Sequence, residues 1–384
     1  MEICVITTQL KNVYSGIGLY SQILINELIE GGHTVTVITP VSQKLEKNEN
    51  FQIFTVQDTK LIRSQARWII YSLRFSEMIK KIEKRLTFDI IHFTDVRDSF
   101  FCNSKSIKIG NINDTYVSDL KKFSYYRKHY IDWFSRWVYY KFTHVIEQKK
   151  LPKLDGIIAN SIFTQKSILS NYHLDQSNIF TCYKSVDIQK YNNVCLERQK
   201  KEGNLEEAVI LFVGGNMQRK GIIDLIMAAP AVLEKHFNTK FIIVGGDKYI
   251  HKYKILCRKY KVEHKFFFLG WVPQANLLDI YRSATLFVMP SLIEAFGVVF
   301  LEAMAAGVPV IGTKVGGINE IIINENNGLI VPVNSSSQLA DAIIKLIINP
   351  RLRKVFSNRG RQTVMRFSID KMMKCTKDIY ANYL

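Results

Sequence analysis

The sequence has no long uninterrupted apolar run, and its first residues do not predict a secretory leader. Its first residues, MEICVITT, contain no basic segment, and the apolar run they begin is too short for a signal peptide. The most apolar region, residues 284–312, is interrupted by Glu294 and Glu302, so we expect no transmembrane helix. These absences predict a cytoplasmic protein. A peripheral position at the inner face of the cell membrane is a second hypothesis.

Patterns typical of metal sites and disulfide frameworks are also missing. None of the six cysteines belongs to a C-x-x-C pair, and no cluster of residues has metal-ligand spacing. Without a leader, we expect the cysteines to be buried thiols in a reducing compartment. No D-x-D signature and no Ser-His-Asp or Cys-His arrangement is present. The sequence therefore predicts neither a bound metal nor a cofactor.

Acidic residues are outnumbered, with 34 Asp and Glu against 52 Lys and Arg, which gives a net charge of +18. Basic residues concentrate in residues 60–85 and 120–150, and the second stretch is also rich in Tyr, Trp and Phe. Solvated faces of amphipathic helices would explain both stretches, and so would docking to an anionic membrane surface. A basic chain also suits RNA, but no RNA-binding signature is recognisable. We predict no nucleic-acid partner and keep an RNA-binding protein as a competing class.

Short β-branched runs alternate with longer amphipathic segments along the whole chain. Continuous apolar strands separated by helical patterns are typical of parallel sheets covered on both faces, the doubly wound α/β class. A polar stretch at residues 187–207 interrupts this alternation and is interpreted as a linker. The chain is therefore predicted to form two Rossmann-like domains that face a central cleft, residues 1–186 and 208–366.

Residues 285–317, TLFVMPSLIEAFGVVFLEAMAAGVPVIGTKVGG, are the most informative segment. A strand is followed by a loop with Glu294 and Gly297, and helical spacing begins at Val298. Unpaired N–H groups and the positive dipole end at a helix start suit an anion. Glu302 lies in the same, otherwise apolar helix, where a carboxylate needs hydrogen-bond donors such as the hydroxyl groups of a ribose. The alternative places Glu302 on the surface of an amphipathic helix.

A second segment, residues 210–226, places two cations at the end of a buried strand. Gly214 and Gly215 end the strand, and Arg219 and Lys220 follow in a short polar loop before the next helix. Arg can bind a diphosphate bidentately, and Lys acts on it as a point charge. A solvated basic turn is the alternative.

Three weaker patterns are ambiguous when taken alone. Gly16 and Gly18 precede a helical pattern, but a tight turn explains them equally well. Asn113, before Asp114 at the end of a strand, fits an ordinary Asx turn. His92 ends another strand, and we interpret it as structural.

The segments FVGGNMQRKG at residues 212–221, residues 268–322 and NGLIVPVNSSSQLADAI at residues 327–343 resemble the retaining glycosyltransferases of family 4. Those enzymes have the GT-B fold. The resemblance continues more weakly through the first half of the chain. It implies that residues 1–186 form the acceptor side, that residues 208–366 bind a nucleotide-sugar donor, and that the helix of residues 367–384 crosses back to the N-terminal domain.

The resemblance also implies roles for individual residues. Glu302 would bind the ribose of a UDP- or GDP-sugar, and Glu294 would face the sugar or its phosphate. Lys220, with Arg219, would neutralise the diphosphate leaving group. The other implied donor-binding residues are Gly16, Gly18, Asn216, Gly270, Trp271, Val272, Phe296, Gly297 and Val298.

Two positions depart from the family pattern. Asn113 stands where many members carry His, and Asn216 stands where many carry Arg. We include Asn113 with Glu294, Lys220 and Arg219 among the expected catalytic residues, because its amide can hydrogen-bond a sugar hydroxyl. The predicted function is metal-independent, retaining transfer of a sugar to an acceptor hydroxyl in glycan, glycolipid or cell-surface polysaccharide synthesis. A catalytically silent relative that binds sugar nucleotides is the alternative.

Overall fold

A computed structural model describes residues 1–10, 16–40, 50–58, 67–114, 133–192 and 207–384. The chain divides into two units, Met1–Lys184 with Asp370–Leu384, and Ser185–Ile369. Of the predicted linker, residues 193–206 lie outside the described residues. So do residues 60–66 and 120–132 of the two basic stretches. None of the helices in the described ranges combines the length and the hydropathy that a bilayer span requires.

The first unit contains a parallel sheet with the strand order β3-β2-β1-β4-β5-β6-β7. Its strands are β1 Glu2–Ile6, β2 Thr34–Thr39, β3 Phe51–Thr55, β4 Ile90–Phe93, β5 Ile107–Ile112, β6 Gly156–Ala159 and β7 Ile179–Thr181. The helices between them are α1 Gly16–Glu30, α2 Arg67–Ile82, α3 Trp133–Lys150 and α4 Ile162–Asn171. Buried strand residues such as Ile6 and Ile91 pack with Phe75 and Ile79 of α2, so this helix covers one face of the sheet.

The second unit contains a parallel sheet with the order β10-β9-β8-β11-β12-β13. Its strands are β8 Ala208–Val213, β9 Thr239–Val244, β10 Phe266–Gly270, β11 Leu286–Val288, β12 Val310–Thr313 and β13 Leu329–Val331. Its helices are α5 Ile222–Lys235, α6 Ile250–Lys259, α7 Gln274–Ser283, α8 Val298–Ala305, α9 Ile318–Ile321, α10 Ser336–Ile347 and α11 Pro350–Val364. The edge-to-face contact of Phe287 with Phe300, with ring centroids 5.2 Å apart, joins β11 to α8 in the core.

The last helix, α12 Ile369–Ala381, packs in the first unit. Its Tyr380 hydroxyl lies 2.7 Å from Nδ1 of His92 in β4, and the hydroxyl of Tyr383 donates to the carbonyl of Asp155, 2.6 Å away. Both contacts are buried or half-buried, so they hold the end of the chain against the first sheet.

Both sheets are parallel and carry helical crossovers, so the prediction of two doubly wound α/β domains is confirmed. The cysteine prediction is correct only in part. Cys4, Cys182 and Cys257 are buried, whereas Cys102 and Cys375 are half-buried. Cys195 lies outside the described residues.

Candidate functional site

The strand order of the second unit reverses between β8 and β11, and two loops meet there. The loop of residues 214–221 follows β8, and the loop of residues 289–297 follows β11. The N–H of Leu292 donates to the carbonyl of Arg219, 2.8 Å away, and so joins the two loops. Ligands of open α/β sheets bind outside the carboxyl ends of strands at such a reversal. The topology therefore places the two segments singled out by the sequence at the expected binding edge.

Two glycines allow these loops to approach each other. Gly221 has a φ of +82°, and a Cβ built on it would lie 1.9 Å from the carbonyl oxygen of Pro290. Gly297 has a φ of +99°, and a Cβ there would lie 2.9 Å from the Phe300 ring. Any side chain at either position would be strained and would collide, so the geometry of the edge depends on both glycines.

Two helices begin at this edge, directly after these glycines. Helix α5 starts after Gly221 and α8 starts after Gly297, and neither cap residue supplies a side-chain hydrogen bond. The first turn of α5 contains Asp224, whereas that of α8 has no acidic residue. The start of α8 therefore has a positive dipole end. No acidic side chain in its first turn competes with a ligand for its N–H groups.

Lys220 and Glu294, which are 74 positions apart, form an ion pair across the two loops. The Lys220 side chain is 13% exposed and that of Glu294 is 8% exposed, so water screens the pair little. The alternative of a solvated basic turn is therefore wrong for Lys220. The sequence indicated both residues separately but did not indicate that they would contact each other.

Glu302 is buried on α8, with 6% of its surface exposed. The hydroxyl of Tyr281 donates to its Oε2 atom, 2.9 Å away. Burial raises the pKa of Glu302, while the Tyr281 hydrogen bond, the Lys190 charge and Gln274 act in the opposite direction. The alternative of a surface carboxylate is therefore wrong.

Sequence reasoning missed the residues around Glu302. The Tyr281 ring is fully buried and meets the Tyr191 ring edge-to-face, with centroids 5.8 Å apart. Nε2 of Gln274 donates to the Tyr191 hydroxyl at 3.3 Å. The sequence did contain one signal for Tyr281. Leu277 and Tyr281 have the spacing of the buried stripe of a helix. A buried tyrosine hydroxyl requires a hydrogen-bond partner.

The other predicted residues of this unit lie at the same edge or at the end of β10. Phe296 is buried, with its ring 5.6 Å from that of Phe367. Gly270 ends β10, and Trp271 and Val272 follow it, with Trp271 47% exposed.

Asn216 has a φ of +49°, a left-handed conformation that Asn tolerates better than most residues. This conformation gives a physical reason for an asparagine at position 216.

In the first unit, Gly16 and Gly18 lie inside the first turn of α1 and not ahead of it, which corrects the sequence-based placement. Asn113 follows β5, and its Nδ2 donates to the carbonyl of Thr94 at 2.7 Å. Nδ2 of Asn160 in turn donates to the backbone carbonyl of Asn113 at 3.1 Å. None of the described residues forms a hydrogen bond with the buried Oδ1 atom of Asn113. The side chain is thus held through its amide nitrogen.

His92 is structural, as the sequence predicted. It is fully buried, and its Nε2 lies 2.9 Å from Oδ1 of Asn111. Burial lowers the pKa of His92 to about 4, because the charged ring would lose its hydration. The neutral ring joins β4 to Tyr380 of α12.

Two protein families match this chain, one in each half. The family described as "Glycosyl transferases group 1" matches residues 196–363, and the family described as "Glycosyltransferase Family 4" matches residues 14–190. An uncharacterized glycosyltransferase of Methanocaldococcus jannaschii is 28% identical over 407 aligned positions, which cover 99% of this chain and 98% of that relative.

Solved structures resemble the chain over its full length. Sucrose-phosphate synthase of Thermosynechococcus elongatus has a TM-score of 0.82 at 20% identity, covering 99% of this chain and 98% of its own. HepE of Anabaena, in complex with UDP-glucose, has a TM-score of 0.73 at 16% identity. The match covers 99% of this chain and 100% of the HepE chain. At these identities the likeness concerns the fold alone, and it confirms the predicted GT-B fold.

Proposed function

This chain belongs to glycosyltransferase family 4, and we propose that it transfers a sugar from a nucleoside diphosphate sugar to an acceptor hydroxyl group with retention of the anomeric configuration. The observation that carries the proposal is the position of Lys220. It lies against Glu294 at the strand-order reversal, on the loop that the N–H of Leu292 ties to the segment leading into α8. Two loops therefore meet at one edge of the second sheet. They bring together a cation, a carboxylate and a helix start that suits an anion.

This arrangement suits the departure of a diphosphate. Negative charge develops on the leaving group as the bond to the anomeric carbon breaks, and fixed positive groups stabilise it. The ammonium of Lys220 has three N–H donors, so it can contact a phosphate while it remains paired with Glu294. Arg219 and the start of α8 would supply the remaining positive potential. With these groups in place, we expect transfer to proceed without a divalent metal.

Glu302 is proposed to bind the ribose of the donor. Its carboxylate is buried, and the two hydroxyl groups of a ribose are donors of the kind that stabilise such a group. Gly270, Trp271 and Val272, at the end of β10, would contact the base. HepE was solved with UDP-glucose, which supports a UDP-sugar as the first donor to test and a GDP-sugar as the second.

The acceptor is proposed to belong to glycan, glycolipid or cell-surface polysaccharide synthesis. One surface of the first unit supports a lipid-linked acceptor. On α3, Phe134, Val138, Phe142 and Val145 are 46–60% exposed and recur with helical spacing. Lys141, on the same helix, lies over the Trp137 ring with its Nζ 5.2 Å from the centroid. Exposed apolar residues beside cations suit the interface of an anionic membrane.

Co-sedimentation with liposomes tests the membrane proposal. Wild type is expected to sediment with anionic phosphatidylglycerol vesicles and not with neutral phosphatidylcholine vesicles, because the cations contribute to binding. Phe142→Asp should weaken sedimentation. Phe237→Asp, at a 69% exposed aromatic of the second unit, is the matched control and should leave it unchanged. Absence of wild-type binding to either vesicle would remove the membrane proposal.

The glycosyltransferase proposal is tested first by thermal shift with UDP, GDP, ADP and their sugar conjugates in the absence of metal. Ligand at about a hundred times its dissociation constant adds roughly 2.7 kcal/mol to the free energy of unfolding. A shift with one base, together with nucleotide release from the matching sugar conjugate, is the expected result. Binding without transfer or hydrolysis would favour a catalytically silent relative. No shift with any nucleotide would contradict the proposal.

A further inference from the structure

Tyr281 is the buried partner of the carboxylate on which the proposed donor site depends. It lies on α7, and Glu302 lies on α8. The tyrosine hydroxyl donates to Oε2 of Glu302 at 2.9 Å, and both residues are buried. A hydrogen bond between a phenol and a carboxylate within the protein interior is directional and is not exchanged with water.

The tyrosine is itself held by its neighbours. The rings of Tyr191 and Phe287 lie 5.8 Å and 6.4 Å from its own. Gln274, the first residue of α7, donates to the hydroxyl of Tyr191 and extends the contact. Since the Tyr281 ring cannot rotate away without disturbing this packing, its hydroxyl fixes where Oε2 of Glu302 lies.

We propose that Tyr281 is a positioning residue for nucleotide binding: it holds one oxygen of the Glu302 carboxylate so that the other can accept the ribose hydroxyl groups of the donor. This inference rests on the proposed function. Tyr281 itself does not contact the nucleotide. It acts by fixing the orientation of Glu302 and by supplying a donor to an oxygen that would otherwise lose its hydration.

Tyr281→Phe removes the hydroxyl and keeps the ring, so the packing with Tyr191 and Phe287 is retained. Its effect should depend on the ribose. We expect affinity for the nucleoside diphosphate that wild type binds, tested as UDP, GDP and ADP, to fall about tenfold, which corresponds to roughly 1.4 kcal/mol. Affinity for the matching 2′,3′-dideoxynucleoside diphosphate, which lacks both hydroxyl groups, should be the same in wild type and variant.

Tyr172→Phe is the matched control, because Tyr172 of the first unit also donates from a buried hydroxyl to a buried glutamate, Glu147. It should leave both affinities unchanged. In the Glu302→Gln background, Tyr281→Phe should have little further effect on the ribose-containing ligand, because the two residues act together.

The possible results separate the two proposals. If wild type binds no nucleoside diphosphate, the proposed function fails and the positioning role fails with it. If wild type binds but Tyr281→Phe binds equally well, only the positioning role is wrong. If the variant loses affinity equally for the ribose and dideoxyribose ligands, Tyr281 supports the packing of the unit and does not act through Glu302.

Discussion

Replacing Lys220 should separate its role in stability from its role in the reaction. Lys220→Met removes the charge, keeps most of the volume and leaves Glu294 as a largely buried carboxylate without its cation. Removing one partner of a buried pair costs about 3–5 kcal/mol. For a unit of this size, that loss lowers the melting temperature by roughly 6–20 °C. Calorimetry on wild type and variant measures the change.

The double variant Lys220→Met/Glu294→Gln leaves no unpaired charge and should recover much of the lost stability. Activity should not recover with it. A charge-assisted hydrogen bond to the diphosphate contributes about 1.5–3 kcal/mol, so kcat/KM for nucleotide release should fall about tenfold to a hundredfold or more in both variants. The assay follows nucleotide release from the sugar conjugate identified by thermal shift.

Two results would refute this reasoning. A Lys220→Met variant as stable as wild type would show that Glu294 is not desolvated in the way that its 8% exposure indicates. A double variant with wild-type activity would show that Lys220 only neutralises Glu294, and the diphosphate assignment would be wrong.

Three further predictions address the other carboxylate, the metal and the buried histidine. Glu302→Ala should mainly weaken binding of the free nucleoside diphosphate in titration calorimetry, whereas Glu294→Ala should mainly lower kcat, and equally small effects of both would contradict the paired-glutamate assignment. Activity should persist in EDTA, because Lys220, Arg219 and the start of α8 supply the positive charge, and a strict requirement for Mg²⁺ or Mn²⁺ would count against this site. His92 has a pKa lowered to about 4 in the folded chain, against about 6.5 when unfolded. The folded state therefore binds fewer protons between these values, and its stability should be fully present above pH 6.5 and should fall by about 3 kcal/mol as pH drops toward 4. Urea unfolding across this range should show a shallower pH dependence in His92→Gln, and an equal dependence in both proteins would contradict the assignment.

Local residue patterns were sufficient to predict the fold class. Continuous apolar strands such as β1 and β8 require cover on both faces, and that requirement is visible in each segment alone. Helix starts were predicted for the same reason, because a polar loop with glycine before an apolar helical pattern is a local signal. The predicted start of α1 was misplaced by a few residues. Gly16 and Gly18 were placed before the helix, although they lie within its first turn.

The sequence by itself therefore determined the doubly wound sheets, the loops that end β8 and β11, and the individual candidates Lys220, Glu294 and Glu302. Only the tertiary structure decided which side chains meet. Lys220 reaches Glu294 because the strand order places β8 beside β11, although 74 positions separate the two residues. Tyr281 meets Glu302 because α7 and α8 bring them together. Such contacts follow from the register and order of whole elements, and residue periodicity within a single segment carries no information about either.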